Sequence, residues 1–378
     1  MTATRMKGDG FYDAHSEVQL SIIEHTSALI TEAVERIPPA SDVFSIIDYG
    51  CAEGKNSVVS VRLALDAVRR RNPQQVVAII HNDLPRNNFN RLFVNLSGTG
   101  VDWYDKGAGG TATVGRRTFV FASGTSFYGQ VVPDASAHFG YSSSSIHWMS
   151  EAPPDSVRRH IMHWGGTAEE FESFRRAAAR DWLSFLQARA REFVPGGRLV
   201  LTMGARLDRE CGDSASYTGE WFTAEIMVNL LNDLLQELVS ERSISNDQYE
   251  RFSYPLYGRS RKDLLAPFQD DDSPVRDAFA VEVAEIKAMP CPLYARYRAD
   301  SDKQRYARDL TSEFRAFSEP LLLECLFNVS ERRLAERRPV PELKVLDALW
   351  ERMQLRIAAD PDRHTFNPIT AILVLARR

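Results

Sequence analysis

The residues best placed to do chemistry lie in one run, Ser45-Ile46-Ile47-Asp48-Tyr49-Gly50-Cys51-Ala52-Glu53-Gly54-Lys55-Asn56. An apolar segment ends there on an acid, passes through a turn with two glycines and enters residues 57 to 68, whose apolar positions recur at helical spacing. That pattern predicts strand, tight turn and helix. In a doubly wound sheet such a turn sits at the carboxyl end of a strand, where a ligand meets bare backbone and the positive end of the next helix. The spacing Gly50-x-x-x-Gly54 is not the dinucleotide fingerprint, and Lys55-Asn56 lacks the Lys-Ser or Lys-Thr pair of a P-loop. A ligand other than NAD or ATP is expected. Asp48 and Asp83 stand at or near the ends of neighbouring predicted strands. A carboxylate beyond the second strand suits two ribose hydroxyls because it offers two acceptor oxygens. On spacing alone, a solvent-exposed turn aspartate stays open.

Other candidate chemistry reads as structural. Gly124-Thr125-Ser126-Phe127-Tyr128-Gly129 resembles a serine hydrolase elbow, but its second glycine comes one residue late and no histidine partner is indicated. Cys51, Cys211, Cys291 and Cys325 form no CxxC pair, which fits reduced thiols. His160 and His163 lack a third ligand at metal spacing and read as surface or packing residues.

The elements that would position this turn alternate. A long amphipathic helix is predicted from about residue 16 to 37, stopped by Pro38-Pro39. Then come the strand before Asp48, a helix over 57 to 71 and a strand at 76 to 80 ending at Asn82-Asp83, the βαβ grammar of a parallel sheet. Residues 99 to 115 are glycine-rich and read as a loop, followed by a strand at 118 to 122. A helix over 171 to 193 is broken by Pro195-Gly196-Gly197, and strands follow at 198 to 203 and 369 to 376, the last as an antiparallel edge. From about 205 helices dominate, one of them over 223 to 239 with Thr223 as N-cap. The chain thus reads as α/β: a core over 1–204 and 360–378 with an amino-terminal lid helix, and a mainly helical cap over 205–359.

At 378 residues, 44% hydrophobic and 26% charged, the composition is that of an ordinary globular protein. The net charge of -5 argues against nucleic acid or an anionic membrane as the main partner. No stretch approaches the roughly 18 uninterrupted apolar residues of a spanning helix and no signal peptide is evident, so a cytoplasmic protein is expected.

Several motifs, in order, resemble the SABATH family of S-adenosylmethionine-dependent carboxyl methyltransferases. They are Asp48 to Asn56, Asn82-Asp83-Leu84-Pro85-Arg86-Asn87-Asn88-Phe89-Asn90, Ser126-Phe127-Tyr128-Gly129, His138-Phe139 leading to Ser142-Ser143-Ser144-Ser145-Ile146-His147-Trp148-Met149-Ser150, Pro195 to Thr202, and Arg315-Ala316-Phe317-Ser318-Glu319-Pro320. The resemblance spans nearly the whole chain and implies a Rossmann-like methyltransferase sheet with an inserted helical cap. It implies that Asp48, Gly50, Cys51 and Asn56 line the methionine end of the cofactor. Asp83 would take the ribose, with Leu84 against the adenine and Ser126 and Phe127 completing its pocket, and Tyr12 would close over the cofactor. Gln19 and Trp148 match the pair that donates to a substrate carboxylate, a role suited to an amide and a donor-only indole. The bland alternatives are a capping box for Ser16-x-x-Gln19 and a core position for Trp148. Ser144 stands where plant members usually carry tyrosine, and the segment over 151 to 170 lacks the family's asparagine-bearing stretch. Glu250-Arg251-Phe252-Ser253 replaces the Asp-x-Phe-Asn of members proposed to hold magnesium, which argues against a metal.

The implied reaction is methyl transfer from S-adenosylmethionine to a small apolar carboxylic acid, giving a methyl ester and S-adenosylhomocysteine. Met149, Trp221, Phe222, Phe314 and Phe366 are the candidates for the acid's pocket. A medium-chain fatty acid is the first expectation and an aromatic or indole acid the second. N-methylation of the caffeine-synthase type and a cofactor-binding regulatory protein are the rival readings. Dimers are common in the resembling family, so a homodimer is the assembly it allows.

Overall fold

The computed structural model describes residues 6–40, 42–98, 117–153, 157, 159–207, 222–329, 333 and 340–378. Strands β1 (Val43–Tyr49), β2 (Val76–Asp83), β3 (Thr118–Gly124), β4 (Ala137–Ser143), β5 (Phe193–Gly204), β6 (Phe279–Ala288) and β7 (Ile369–Arg377) form one sheet in the order β3-β2-β1-β4-β5-β7-β6. The first five in that order run parallel. β7 is antiparallel to both β5 and β6.

The inner strands β1 and β7 read as near-continuous apolar runs because both faces are covered. Ile46 packs in a cluster with α3 (Ser27–Glu35) and α4 (Lys55–Arg71), while its neighbour Ile47 packs on the other face with Trp182, Phe185 and Leu186 of the helix Ala168–Glu192, here α6. Between α4 and α6 in the chain lies α5 (Phe89–Gly98). A separate apolar cluster joins α7 (Glu225–Ser240), α11 (Lys303–Leu321) and α12 (Pro341–Ala359), and this helical cap covers the carboxyl-end side of the sheet. Completing the chain are α1 (Phe11–Ala14), α2 (Glu17–His25), α8 (Asn246–Glu250), α9 (Arg261–Gln269) and α10 (Pro292–Asp300). Among the described residues no helix is long and apolar enough to cross a membrane.

Five local expectations are corrected. The long helix over 16 to 37 is two helices, α2 and α3, broken at Thr26, whose hydroxyl donates to the Ile22 and Ile23 carbonyls at 2.8 and 3.3 Å and competes with the helix ladder. Pro195-Gly196-Gly197 does not separate helix from strand. β5 begins directly after α6, and the three residues form a bulge that lets Ala137 face Phe193 while Phe139 faces Arg198. The last strand is not the edge, because β6 pairs outside it. β6 lies within the stretch read as helical: its register shifts at Glu282, so Phe279 and Val281 pack on one face and Val283 on the other, and its exposed Glu282, Glu285 and Lys287 are charges of the kind edge strands carry. Finally Thr223 does not cap α7. Ala224 does, at φ 61, while Thr223 N–H donates to the Ala205 carbonyl at 3.0 Å. The glycine-rich stretch 99–115 lies outside the described residues.

Candidate active site

β1 pairs with β2 on one side and β4 on the other, so the chain reverses its winding direction at the carboxyl end of β1. A crevice opens there, as in other open α/β sheets. The turn into α4 is tied down by the Asn82 carbonyl, which accepts the N–H groups of Gly50 and Cys51 at 2.8 and 3.0 Å. Gly50 has φ 93, and a Cβ on it would overlap the Ser145 hydroxyl, so the crevice floor is bare backbone because a side chain does not fit.

The roomier hollow, about 230 Å³, is lined by Tyr12, Gly50, Asp83, Leu84, Ser126, Phe127 and Trp148 among others. Asp83 is held by the N–H groups of Ala52 and Leu84, each at 2.7 Å to a different oxygen. Burial nevertheless pushes its carboxyl up to about 6; those two bonds oppose the rise and Asp48 adds to it. The wall at Ser126 and Phe127 is set from behind by a fully buried ion pair of α6. Arg189 donates to the Phe127 and Gly129 carbonyls, both at 2.8 Å, and to Glu192 Oε1 at 2.7 Å; Tyr49 donates to Glu192 Oε2 at 2.8 Å.

A narrower hollow beside it is lined by Tyr12, Gln19, Asp48, Cys51 and Asn56. Asp48 is buried and accepts from the Ser57 hydroxyl, with His81 Nδ1 3.8 Å away, so its carboxylate is anchored within the fold at the hollow's wall. The Asn56 amide donates to Ser16 Oγ at 3.1 Å while its Oδ1 is buried without a partner. Burial holds the Cys51 thiol well above its ordinary range, which leaves a neutral thiol.

The third hollow, about 70 Å³, lies between the cap cluster and the sheet. Gln19, Trp148 and Phe366, all named from the sequence, line it. Tyr12 lines all three hollows, Trp148 the roomy one and the third, and Gln19 the narrow one and the third, so the three meet at Tyr12. The capping-box alternative for Gln19 fails: Ser16 makes no side-chain cap bond, and Gln19 Oε1 is buried without a partner.

Three pocket candidates are corrected. Met149 is fully buried with Phe174 and Tyr257, turned away from the hollow that its neighbour Trp148 lines, because Trp148 bridges to Leu256 in extended pairing and successive side chains then point to opposite sides. Phe222 stacks behind Trp164 at 4.8 Å between ring centres, and Trp164 is the one that lines the hollow. Phe314 is buried in the cap cluster, edge-on to Phe317 at 4.8 Å, and Phe317 takes the lining position. Trp221 lies outside the described residues.

Sequence reasoning missed Met162, Trp164, Tyr254, Phe317 and His147. Two of them carried a signal, since Phe317 and His147 sit inside quoted motifs. His147 Nδ1 accepts the Gly204 N–H at 2.9 Å, and burial, with Arg259 nearby, lowers its pKa to about 3. Its ring is therefore neutral with the proton on Nε2. Among the described residues no group of three His, Cys, Asp or Glu could hold a metal ion.

The bare Gly50 backbone, the paired oxygens of Asp83 and the orphaned Asn56 Oδ1 fit the S-adenosylmethionine that the sequence resemblance implies. Comparison with known proteins agrees. The family model described as SAM dependent carboxyl methyltransferase matches residues 2–377. The jasmonate O-methyltransferase of Arabidopsis thaliana is 28% identical over 311 residues, 75% of each chain. The salicylate carboxymethyltransferase of Clarkia breweri is 27% identical over 332 residues, 84% of this chain and 85% of that one. A solved structure of loganic acid methyltransferase with SAH superposes with a TM-score of 0.74 at 23% identity, covering 99% of this chain and 98% of that one, a likeness of fold.

Proposed function

Because this chain belongs to the family of S-adenosylmethionine-dependent carboxyl methyltransferases, we propose that its substrate is a small apolar monocarboxylic acid, a medium-chain fatty acid first among them, whose carboxylate is held by Gln19 and Trp148. The observation that carries this reading is the lining of the third hollow. It combines the amide of Gln19 and the indole of Trp148 with walls of Met162, Trp164, Phe317 and Phe366, and it includes no lysine or arginine among the described residues. A second carboxylate or a phosphate on the substrate would be buried without a counter-charge. Ser144, which also lines it, leaves open the side where plant members usually carry a tyrosine, which favours a flexible chain over a close-fitting hydroxylated ring.

A carboxylic acid with a pKa of about 4 to 5 is already ionised at pH 7, so no general base is required. S-adenosylmethionine, when bound, supplies an electrophilic methyl group and its own leaving group. The chain supplies orientation, which can lower such a barrier by about 7 to 11 kcal/mol. Asp83 takes the ribose, Leu84, Ser126 and Phe127 enclose the adenine, and Asp48, Gly50, Cys51 and Asn56 surround the methionine end. Tyr12 stands where the hollows join and shields the meeting point from water. Gln19 and Trp148 aim one carboxylate oxygen and, being neutral donors, let charge leave it as the new bond forms; a cationic clamp would favour the ground state.

Mass spectrometry of the products formed from a mixed carboxylic-acid library tests the substrate class. Methyl esters of medium-chain acids are expected, and methylation confined to dicarboxylic or aromatic acids would overturn the assignment. Trp148→Phe keeps a ring and removes the indole N–H. It should lower kcat/KM for the acid by about 1.5–3 kcal/mol, the range for a hydrogen bond to a charged group, while the Kd for S-adenosylmethionine by calorimetry stays close to wild type.

A further inference from the structure

Helix α2 carries Val18, Gln19 and Ile22 to the acid hollow, yet its first turn is not closed by its own residues. Ser16 occupies the N-cap position, but its hydroxyl accepts from Asn56 Nδ2 at 3.1 Å instead of from the helix. Gln19 does not reach back to it either, since Gln19 Oε1 has no partner. The free N–H groups are taken by a side chain almost three hundred positions downstream. Glu313 of α11 is buried, and it accepts from Glu17 N–H through Oε2 at 3.2 Å and from Val18 N–H through Oε1 at 3.1 Å. A carboxylate at a helix amino terminus also meets the positive end of the helix dipole.

We propose that Glu313 is a positioning residue for methyl transfer: by holding the first N–H groups of α2 from α11 with both oxygens, it fixes the turn that carries Gln19 and so keeps the Gln19 amide toward the acid. The proposal rests on the assignment of Gln19 as a carboxylate donor. A capping box would use the Ser16 and Gln19 N–H groups, whereas Glu313 takes those of Glu17 and Val18, so the helix end is held from outside through different donors and by two charged acceptor oxygens.

The cap works through both oxygens, so it needs the ionised carboxylate. Burial, with Glu17 adding, raises Glu313 to about 7, opposed by the two backbone bonds and by Lys55. The groups around it are Glu17, itself paired with Arg296; Lys55, which donates to the Asp13 carbonyl; the Tyr12 phenol; and the Cys291 thiol. Gln19 is therefore held best above about pH 7.

The test compares Glu313→Gln in the wild-type and Gln19→Ala backgrounds of the full chain. In the wild-type background kcat for the acid should fall about ten- to a hundredfold, the cost of a misaimed reacting group. The Kd for S-adenosylmethionine should stay within about twofold. In the Gln19→Ala background the same change should add no further loss, because the residue it acts through is gone. Losses that multiply, or a cofactor Kd that rises in proportion, would overturn the proposal. A second readout is independent of turnover. The Gln19 side-chain amide NMR signals, assigned by their disappearance in Gln19→Ala, should shift with a midpoint near pH 7 in the wild type and lose that dependence in Glu313→Gln. Signals that titrate identically in both proteins would refute the cap. A wild type that methylates no acid but shows the Glu313-dependent shift would instead count against the substrate assignment.

Discussion

Asp83 shows how a residue's environment changes what it can do. As a turn acid on a generic loop it would be ionised across the physiological range, but burial moves it to about 6, against backbone bonds from Ala52 and Leu84 that pull the other way. In the role proposed for it, the ionised form is the one with both oxygens free of protons to accept ribose hydroxyls. Affinity for S-adenosylmethionine should therefore weaken as pH falls through about 6, and Asp83→Asn should bind weakly with no such pH dependence; calorimetry across pH 5 to 8 checks this. Stability of the free protein follows the opposite sign. The folded chain holds this proton more tightly than the unfolded one, so the contribution of Asp83 is fully present below its ordinary value of 3.8 and is lost as pH rises through about 6. Binding and stability thus pull against each other at one carboxylate, as expected of a group kept for function.

At the scale of elements, the strand-turn-helix unit around Gly50 is the part that sequence described best. Its strand, its two glycines and its helix are contiguous, and each residue's role follows from local geometry. Gly50→Ala should fail twice over. The positive φ of 93 costs a side-chain-bearing residue about 1–2 kcal/mol, and the new Cβ would displace the Ser145 hydroxyl. A lower melting temperature together with a Kd for S-adenosylmethionine raised about tenfold or more is expected; an unchanged Kd would show that the crevice tolerates a wall there. The pocket aromatics fared worse for the converse reason. Phe314 and Phe317 both lie on α11 with similar sequence surroundings, and only the packing of α11 against the cap decides which one faces the hollow.

Across the whole molecule, the wall of the roomier hollow at Ser126 and Phe127 depends on a buried pair that does not itself line the hollow. Arg189 and Glu192 are fully buried and join the end of α6 to the loop after β3, to Tyr49 of β1 and, through Val131 N–H, to the segment that leads into β4. Removing one partner leaves the other charge buried alone, so Arg189→Met should destabilise the protein by about 3–5 kcal/mol in urea unfolding. Replacing Glu192 by glutamine in the same chain should recover part of that loss. The sequence alone determined the parallel core, the strand-turn-helix unit at Gly50 and the family to which the chain belongs, because each rests on residues adjacent in the chain or on motifs in fixed order. Tertiary structure alone decided that β6 closes the sheet, that Met149 and Phe314 turn away while Trp164 and Phe317 turn in, and that Glu313 closes a helix begun at Glu17. Those outcomes depend on which face an element buries and on partners hundreds of residues apart, and neither is encoded in the local periodicity from which elements are read.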